Sequence, residues 1–254
     1  MDPVIIEDGK FKYIESSPGK PVLMLLHGLL GALSNFRFII DKFSTDYNVV
    51  TPILPIMEMP LKSLGLKGLV KYIEEFVEYK SFSDLHVMGN SLGGHLAQLY
   101  TLNNPSIVKS LILTGSSGLF ENAMGNTFPK RGDYEFIKKK AELVFYDPKT
   151  ATPELVDEVY NTVNDRSKAI RVVVTAKSAV RNNLENIIHN ISAPTLLVWG
   201  RQDDITPPFV AEKFNELIPN SKLVFIDKCG HAPMMERPDE FNEILESFLK
   251  NLED

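Results

Sequence analysis

Apolar and polar positions along this chain follow two periods. Apolar runs of strand length fall at 4–6, 11–14, 22–26, 47–53, 85–89, 109–114, 195–199 and 222–226. From residue 22 onward most are unbroken, as in VLMLL, LIL and TLLVW. A strand covered on both faces reads this way, which predicts a parallel sheet between two helical layers. Glu7, Asp8, Gly9 and Lys10 join the first two runs in a hairpin-like turn, so the sheet is expected to start antiparallel. Between the runs lie amphipathic stretches that predict helices near 34–43, 66–80, 92–104, 208–217 and 238–250. Leu92, Leu96, Leu99 and Leu102 form one face of the third, which stops before Pro105. Phe241, Ile244, Leu245, Phe248 and Leu249 do the same for the last. The expected class is α/β: a mostly parallel eight-stranded sheet flanked by helices.

One stretch breaks the alternation. Residues 116–194 contain no clear strand pair and read as helices at 134–145, 153–163 and 170–182. Thr152-Pro153 is a good helix start, with threonine as cap and proline in the first turn. A crossover this long exceeds what one helical layer needs. The expected organisation is therefore a core of residues 1–115 and 195–254, with 116–194 inserted as a helical cap.

Composition narrows the function classes. The 254 residues are 44% hydrophobic and 24% charged, with a formal net charge of −6, which suits a globular protein and not a nucleic-acid binder with a basic surface. The basic run Lys138, Lys139 and Lys140 is flanked by acids and reads as a solvated helix face. No apolar run reaches the roughly 18–20 residues of a membrane helix. The opening MDPVIIEDGK is acidic and lacks the pattern of a secretory signal. The single cysteine, Cys229, excludes an internal disulfide and a cysteine metal site, and reads as a packing thiol. These features suggest a cytoplasmic protein, a monomer or homodimer, with no cofactor and no metal.

The strongest chemical signal is Gly89-Asn90-Ser91-Leu92-Gly93, a G-x-S-x-G pattern between a predicted strand and a predicted helix. A nucleophilic serine needs such a sharp turn, so that its oxygen projects above the sheet edge. The plainer reading is a serine that merely caps the helix. A serine hydroxyl needs a base, and the base needs an orienting acid. Of the five histidines, His231 follows the last strand and falls at the sheet edge beside Ser91. His86 and His95 sit within elements, and His189 lies at the far end of the insertion. The loop WGRQDDITP supplies the acid, with Asp203 preferred and Asp204 the alternative. His27-Gly28-Leu29 follows the strand at 22–26, and the backbone N–H groups of Leu29 and Leu92 are placed to meet a developing oxyanion.

Taken together, HGLLG at 27–31, GNSLGG at 89–94, WGRQDDITP at 199–207 and CGHAPMMERPDEF at 229–241 resemble the α/β-hydrolase superfamily over nearly the whole chain. The resemblance implies a Ser91, Asp203 and His231 triad, with Leu29 and Leu92 as oxyanion donors. Within the superfamily the chain is similar to serine esterases and to hydrolases of meta-cleavage products. It departs from the second group at Val159, where an arginine is usual, and at Ala232, where a tryptophan is usual. A third departure is the Met- and Pro-rich segment 52–60, where many relatives carry an Asp-x-x-Gly-x-Gly loop. The expected activity is hydrolysis of a small carboxylic ester through an acyl-enzyme. Alternatives are hydrolysis of a C–C bond, for which Arg166, Arg171 or Arg181 would supply a cation, and a ligand-binding protein with little turnover. Phe120, Met124 and Met234 are candidate substrate contacts.

Overall fold

The unbroken apolar runs form the middle of the sheet. The computed structural model describes residues 4–31, 33–120 and 132–252. In chain order the elements are β1 (Ile6–Asp8), β2 (Phe11–Glu15), β3 (Val22–Leu26), α1 (Arg37–Phe43), β4 (Asn48–Pro52), α2 (Leu66–Tyr79), β5 (Leu85–Asn90), α3 (Leu92–Asn103) and β6 (Val108–Thr114). Then come α4 (Tyr134–Glu142), α5 (Pro153–Asn164), α6 (Arg166–Arg181), β7 (Thr195–Gly200), α7 (Pro208–Leu217), β8 (Ser221–Ile226), α8 (Pro233–Glu236) and α9 (Pro238–Lys250). The strands form one eight-stranded sheet in the order β1-β2-β4-β3-β5-β6-β7-β8. β1 and β2 pair antiparallel, as do β2 and β4, and every later pairing is parallel. The antiparallel start and the parallel body match the sequence pattern.

Alternation of side chains along a strand lets β3 feed both layers. Met24 and Leu26 pack with α2, α3 and α7, whereas Leu23 and Leu25 pack with α1 and α9. All four side chains are fully buried. The long crossover between β6 and β7 touches both layers. Ala141 of α4 and Val156 of α5 join the α1/α9 cluster, and Ala179 of α6 joins the α2/α3 cluster. Arg171 of α6 donates to the carbonyls of Ile56 and Met59, and Ser178 Oγ accepts from Leu66 N at 3.0 Å. The crossover is thereby fastened to the segment that follows β4.

Some boundaries differ from expectation for local reasons. The first strand is Ile6–Asp8 rather than 4–6, because an exposed edge strand carries polar residues and shows little apolar pattern. The helix expected at 170–182 begins at Arg166. Asp165 caps it by accepting from Lys168 N at 3.0 Å, and the Arg-Ser-Lys first turn has no apolar stripe to reveal it. The helix α8 has four residues, too few for a period to register. Among the described residues, no helix is long and apolar enough to cross a membrane.

The packing of β3 yields a direct expectation. Leu25→Ala leaves a cavity at a fully buried position and should lower the unfolding free energy by about 2–5 kcal/mol. The change should appear in urea melts as a lower midpoint with an unchanged slope. A loss below about 1 kcal/mol would mean that the central strand is not tightly packed there.

Candidate active site

The turn from β5 into α3 is shaped by crowding. A Cβ at Gly93 would overlap the Leu26 carbonyl, and one at Gly89 would overlap the Gly93 carbonyl. Strand, loop and helix therefore approach to backbone contact, and Ser91 is forced to φ 55° and ψ −121°. A non-glycine residue in that region carries strain of order 1–3 kcal/mol. The Ser91 hydroxyl makes no capping bond to α3, although Ser91 occupies the cap position. This disfavours the plainer reading of a helix cap. The Ser91 backbone is pinned instead, with its N–H on the Thr114 carbonyl and its own carbonyl accepting from His95 N and Ser117 N.

The loop after β3 lies alongside. A Cβ on Gly28 would sit 3.4 Å from the Cβ of Ser91. Among the described residues, the N–H groups of Leu29 and Leu92 have no hydrogen-bond acceptor. Leu92 N is the first amide of a twelve-residue helix, so it carries the positive end of the helix dipole. Two unspent amides flanking one serine make a site for negative charge on oxygen. Their loop is held by His27, whose Nδ1 donates to the Gly28 carbonyl at 2.8 Å while Nε2 accepts from Leu54 N at 3.2 Å.

His231 and Asp203 are brought together directly, with Nδ1 2.9 Å from Oδ2. A carboxylate only accepts, so Nδ1 carries the proton and Nε2 presents its lone pair. The same carboxylate accepts from Ile205 N, Thr206 N and Thr206 Oγ1, at 2.8, 2.9 and 2.8 Å. Asp203, preferred over Asp204 from the sequence, is the buried one of the two and the one that meets the imidazole, whereas Asp204 is exposed. Thr206 went unnoticed in the sequence. An aspartate whose side chain accepts from the backbone two residues on is a common local turn, and the bond from Ile205 N to Asp203 Oδ1 forms it here. The acid and histidine loops are zipped by Gln202, which exchanges backbone and side-chain bonds with Cys229.

Ser91 and His231 are related through neighbours. Asn90 Nδ2 donates to the His231 carbonyl at 3.1 Å and to the Thr114 carbonyl at 3.0 Å. A Cβ at Gly115 would meet Nδ1 of His231 at 2.8 Å. Among the described residues, neither Ser91 Oγ nor His231 Nε2 has a hydrogen-bond partner, so these two atoms are not directly bonded to each other. Such bonds are often long before substrate arrives.

The other histidines are committed elsewhere. His86 bonds Ser110 Oγ, His95 bonds the Asn182 carbonyl and Ser117 Oγ, and His189 is exposed. Cys229 is buried, and burial pushes its thiol well above the usual range. Phe120 packs edge-to-face on the exposed Phe209 at 5.4 Å. Met234 is packed in the α1/α9 cluster with Ala232 and Phe241. Met124 lies outside the described residues. Among the described residues, no group of three or more His, Cys, Asp or Glu side chains is placed to hold a metal ion.

Comparison with known proteins agrees with this architecture. A family model described as the alpha/beta hydrolase fold matches residues 21–238. The monoacylglycerol lipase ABHD6 of Bos taurus is 28% identical, over 97% of this chain and 81% of its own length. A 2-hydroxy-6-oxononadienedioate/2-hydroxy-6-oxononatrienedioate hydrolase of Pseudomonas sp. is 23% identical, over 95% and 92%. Among solved structures, MGS-MChE2, an alpha/beta hydrolase enzyme from a metagenome of Mar Chica lagoon sediments in Morocco, superposes with a TM-score of 0.82. It is 38% identical, over 99% of this chain and all of that one.

The two bonds of His27 require a neutral imidazole, and burial holds its pKa below the ordinary 6.5. Below pH 6.5 the unfolded chain takes up a proton that the native state refuses. The stability contributed by neutral His27 is therefore fully present above pH 6.5 and declines as pH falls toward the native pKa. The slope reaches at most about 1.4 kcal/mol per pH unit. Urea melts of wild type and His27→Gln at pH 7.5 and 5.5 should show a smaller acid loss in the variant. Parallel losses in both would remove His27 as the cause.

Proposed function

The chain belongs to the α/β-hydrolase family, and from that membership we propose that it is a serine hydrolase of small carboxylic esters. The observation that carries the reading is a strained, uncapped Ser91 whose neighbour Asn90 holds the loop of an Asp203-bonded His231. In this reading residues 1–115 and 195–254 are the catalytic core and 116–194 is a cap over it. The bond from His231 N to the Val144 carbonyl supports that placement.

Ser91 Oγ attacks the ester carbonyl carbon while His231 Nε2 takes the hydroxyl proton. Asp203 keeps the ring in the tautomer that can accept, and stabilises the imidazolium that forms. The carbonyl electron pair moves onto oxygen between the amides of Leu29 and Leu92. One such donor is worth roughly 100–1,000-fold in turnover. Collapse of this adduct breaks the C–O bond to the alcohol, which leaves with the proton from His231. Water then attacks the acyl-enzyme, His231 takes its proton and returns one to Ser91, and the carboxylic acid departs.

An ester fits better than a C–C bond. The dienedioate hydrolase relative favours the second reading, but a charged dienoate wants a nearby cation. Arg171 is engaged with two backbone carbonyls, and Arg166 and Arg181 are exposed. The aromatic pair Phe120 and Phe209 suits an apolar acyl or alcohol group, in keeping with the lipase relative.

Wild type should turn over p-nitrophenyl acetate or butyrate and be labelled by a fluorophosphonate. Ser91→Ala should lose about 10⁴-fold or more in kcat and all labelling. Equal rates in both proteins would eliminate Ser91 as nucleophile. A folded wild type inert to the fluorophosphonate would favour a ligand-binding protein. Loss of dienolate absorbance on mixing with a ring-cleavage product, without esterase activity, would favour C–C hydrolysis.

A further inference from the structure

One carboxylate outside the reacting set spans two parts of the molecule. Glu236, at the end of α8, is only partly buried, and both of its oxygens are used. Oε2 accepts from Gly230 N at 2.6 Å, and Oε1 accepts from Asp147 N at 2.6 Å. Gly230 immediately precedes His231, and Asp147 lies in the crossover between α4 and α5. One residue along, His231 N donates to the Val144 carbonyl at 2.8 Å. The histidine loop and segment 144–147 are thus closed into a ring by one direct bond and one carboxylate bridge. The two chains touch at backbone distance: a Cβ at Gly230 would sit 2.6 Å from the Val144 carbonyl and 2.9 Å from the Phe145 Cα. The peptide that carries the imidazole is therefore held from the crossover side as much as from the sheet.

We infer that Glu236 is a positioning residue that locks the placement of segment 144–147 to the placement of the His231 ring. The inference rests on His231 being the base of the proposed reaction. Charge-assisted bonds to N–H groups are short and strong, and a carboxylate is the side chain that accepts from two amides at once. Glutamine has one acceptor oxygen and turns an N–H₂ toward the second amide. The ring would then open on one side, and the imidazole would lose one of its two tethers to the crossover. A displacement of about 1 Å at a catalytic group costs on the order of 100-fold. Glu236 is not among the candidate substrate contacts and its bonds run to the histidine loop, so the loss is expected on kcat.

The test compares wild type, Glu236→Gln and Glu236→Asp, each confirmed folded by thermal melting. Steady-state kinetics on p-nitrophenyl butyrate is read together with the proton NMR signal of His231 Nδ1–H. We expect kcat to fall about 10- to 100-fold in Glu236→Gln with KM within twofold. Glu236→Asp, which keeps the charge but is one methylene shorter, should fall between the two. The Nδ1–H resonance should shift or broaden in Glu236→Gln. Wild-type kcat with an unchanged resonance would overturn the inference, and so would a raised KM at constant kcat. If Glu236→Gln does not fold, Glu236→Asp carries the same readouts and the same two overturning results. The NMR arm does not depend on turnover. An inert wild type whose resonance still responds to Glu236 would fail the proposed function and leave the link between crossover and histidine standing.

Discussion

The structure depends on a collision that is avoided at one turn. Where β5 hands over to α3, the backbones of β3, its following loop and α3 pass so close that side chains at Gly89 and Gly93 are excluded. The chain can turn there only by placing Ser91 in a region that non-glycine residues avoid. That strain costs roughly 1–3 kcal/mol. It is offset by the buried contacts of β3 and β5 on both faces of the sheet, where each buried leucine contributes about 1.5–3 kcal/mol. The strained serine, the first amide of α3 and the amide after Gly28 consequently share one small volume. The site is a consequence of packing, and its geometry would relax if the packing did.

The electrostatics follow the same logic. Among five histidines, His27, His86 and His95 are buried, and their hydrogen bonds to the Gly28 carbonyl, Leu54 N, Ser110 Oγ, the Asn182 carbonyl and Ser117 Oγ brace loops and strands. At His231 one nitrogen faces a carboxylate that is itself held by backbone and hydroxyl donors. Those donors keep Asp203 an acceptor toward the ring. The second nitrogen is left with the lone pair. Burial of Cys229 keeps its thiol protonated beside this loop, so it does not compete for the role of nucleophile.

Much of this was legible in the sequence because it is written locally. Strand, G-x-S-x-G and helix occupy a dozen neighbouring residues, and their periods and glycines announce the turn. The long crossover announced itself by the lack of strand runs between 116 and 194. What escaped was carried by contacts remote in sequence or by burial. Asn90 reaches His231 across 141 positions, and no local pattern encodes that bond. The preference for Asp203 over its chemically identical neighbour Asp204 rests on its position in the loop, while the burial that separates the two comes from the direction of a turn. Met234 had the composition of a pocket residue but lies in the α1/α9 cluster, since an apolar side chain packs equally well against protein or ligand. The early start of α6 was hidden because a polar first turn shows no stripe, although the cap at Asp165 was there to be read.

The crossover ties these levels together. It leaves the sheet after β6 and returns at β7, so its ends flank the strands that carry Gly115 and the acid loop. Its helices α4 and α5 pack on the α1/α9 layer and α6 on the α2/α3 layer, which spreads its anchorage over both sides of the sheet. Arg171 and Ser178 fix it to the segment after β4, and Val144 fixes it to the loop of His231. An insertion held at only one of these places could swing without disturbing the chemistry. Held at both, it cannot change its distance from one edge of the site without loading the other. The crossover is therefore mechanically joined to the loop that carries the His231 imidazole. Sequence changes that reshape the insertion should carry their consequences into the alignment of His231.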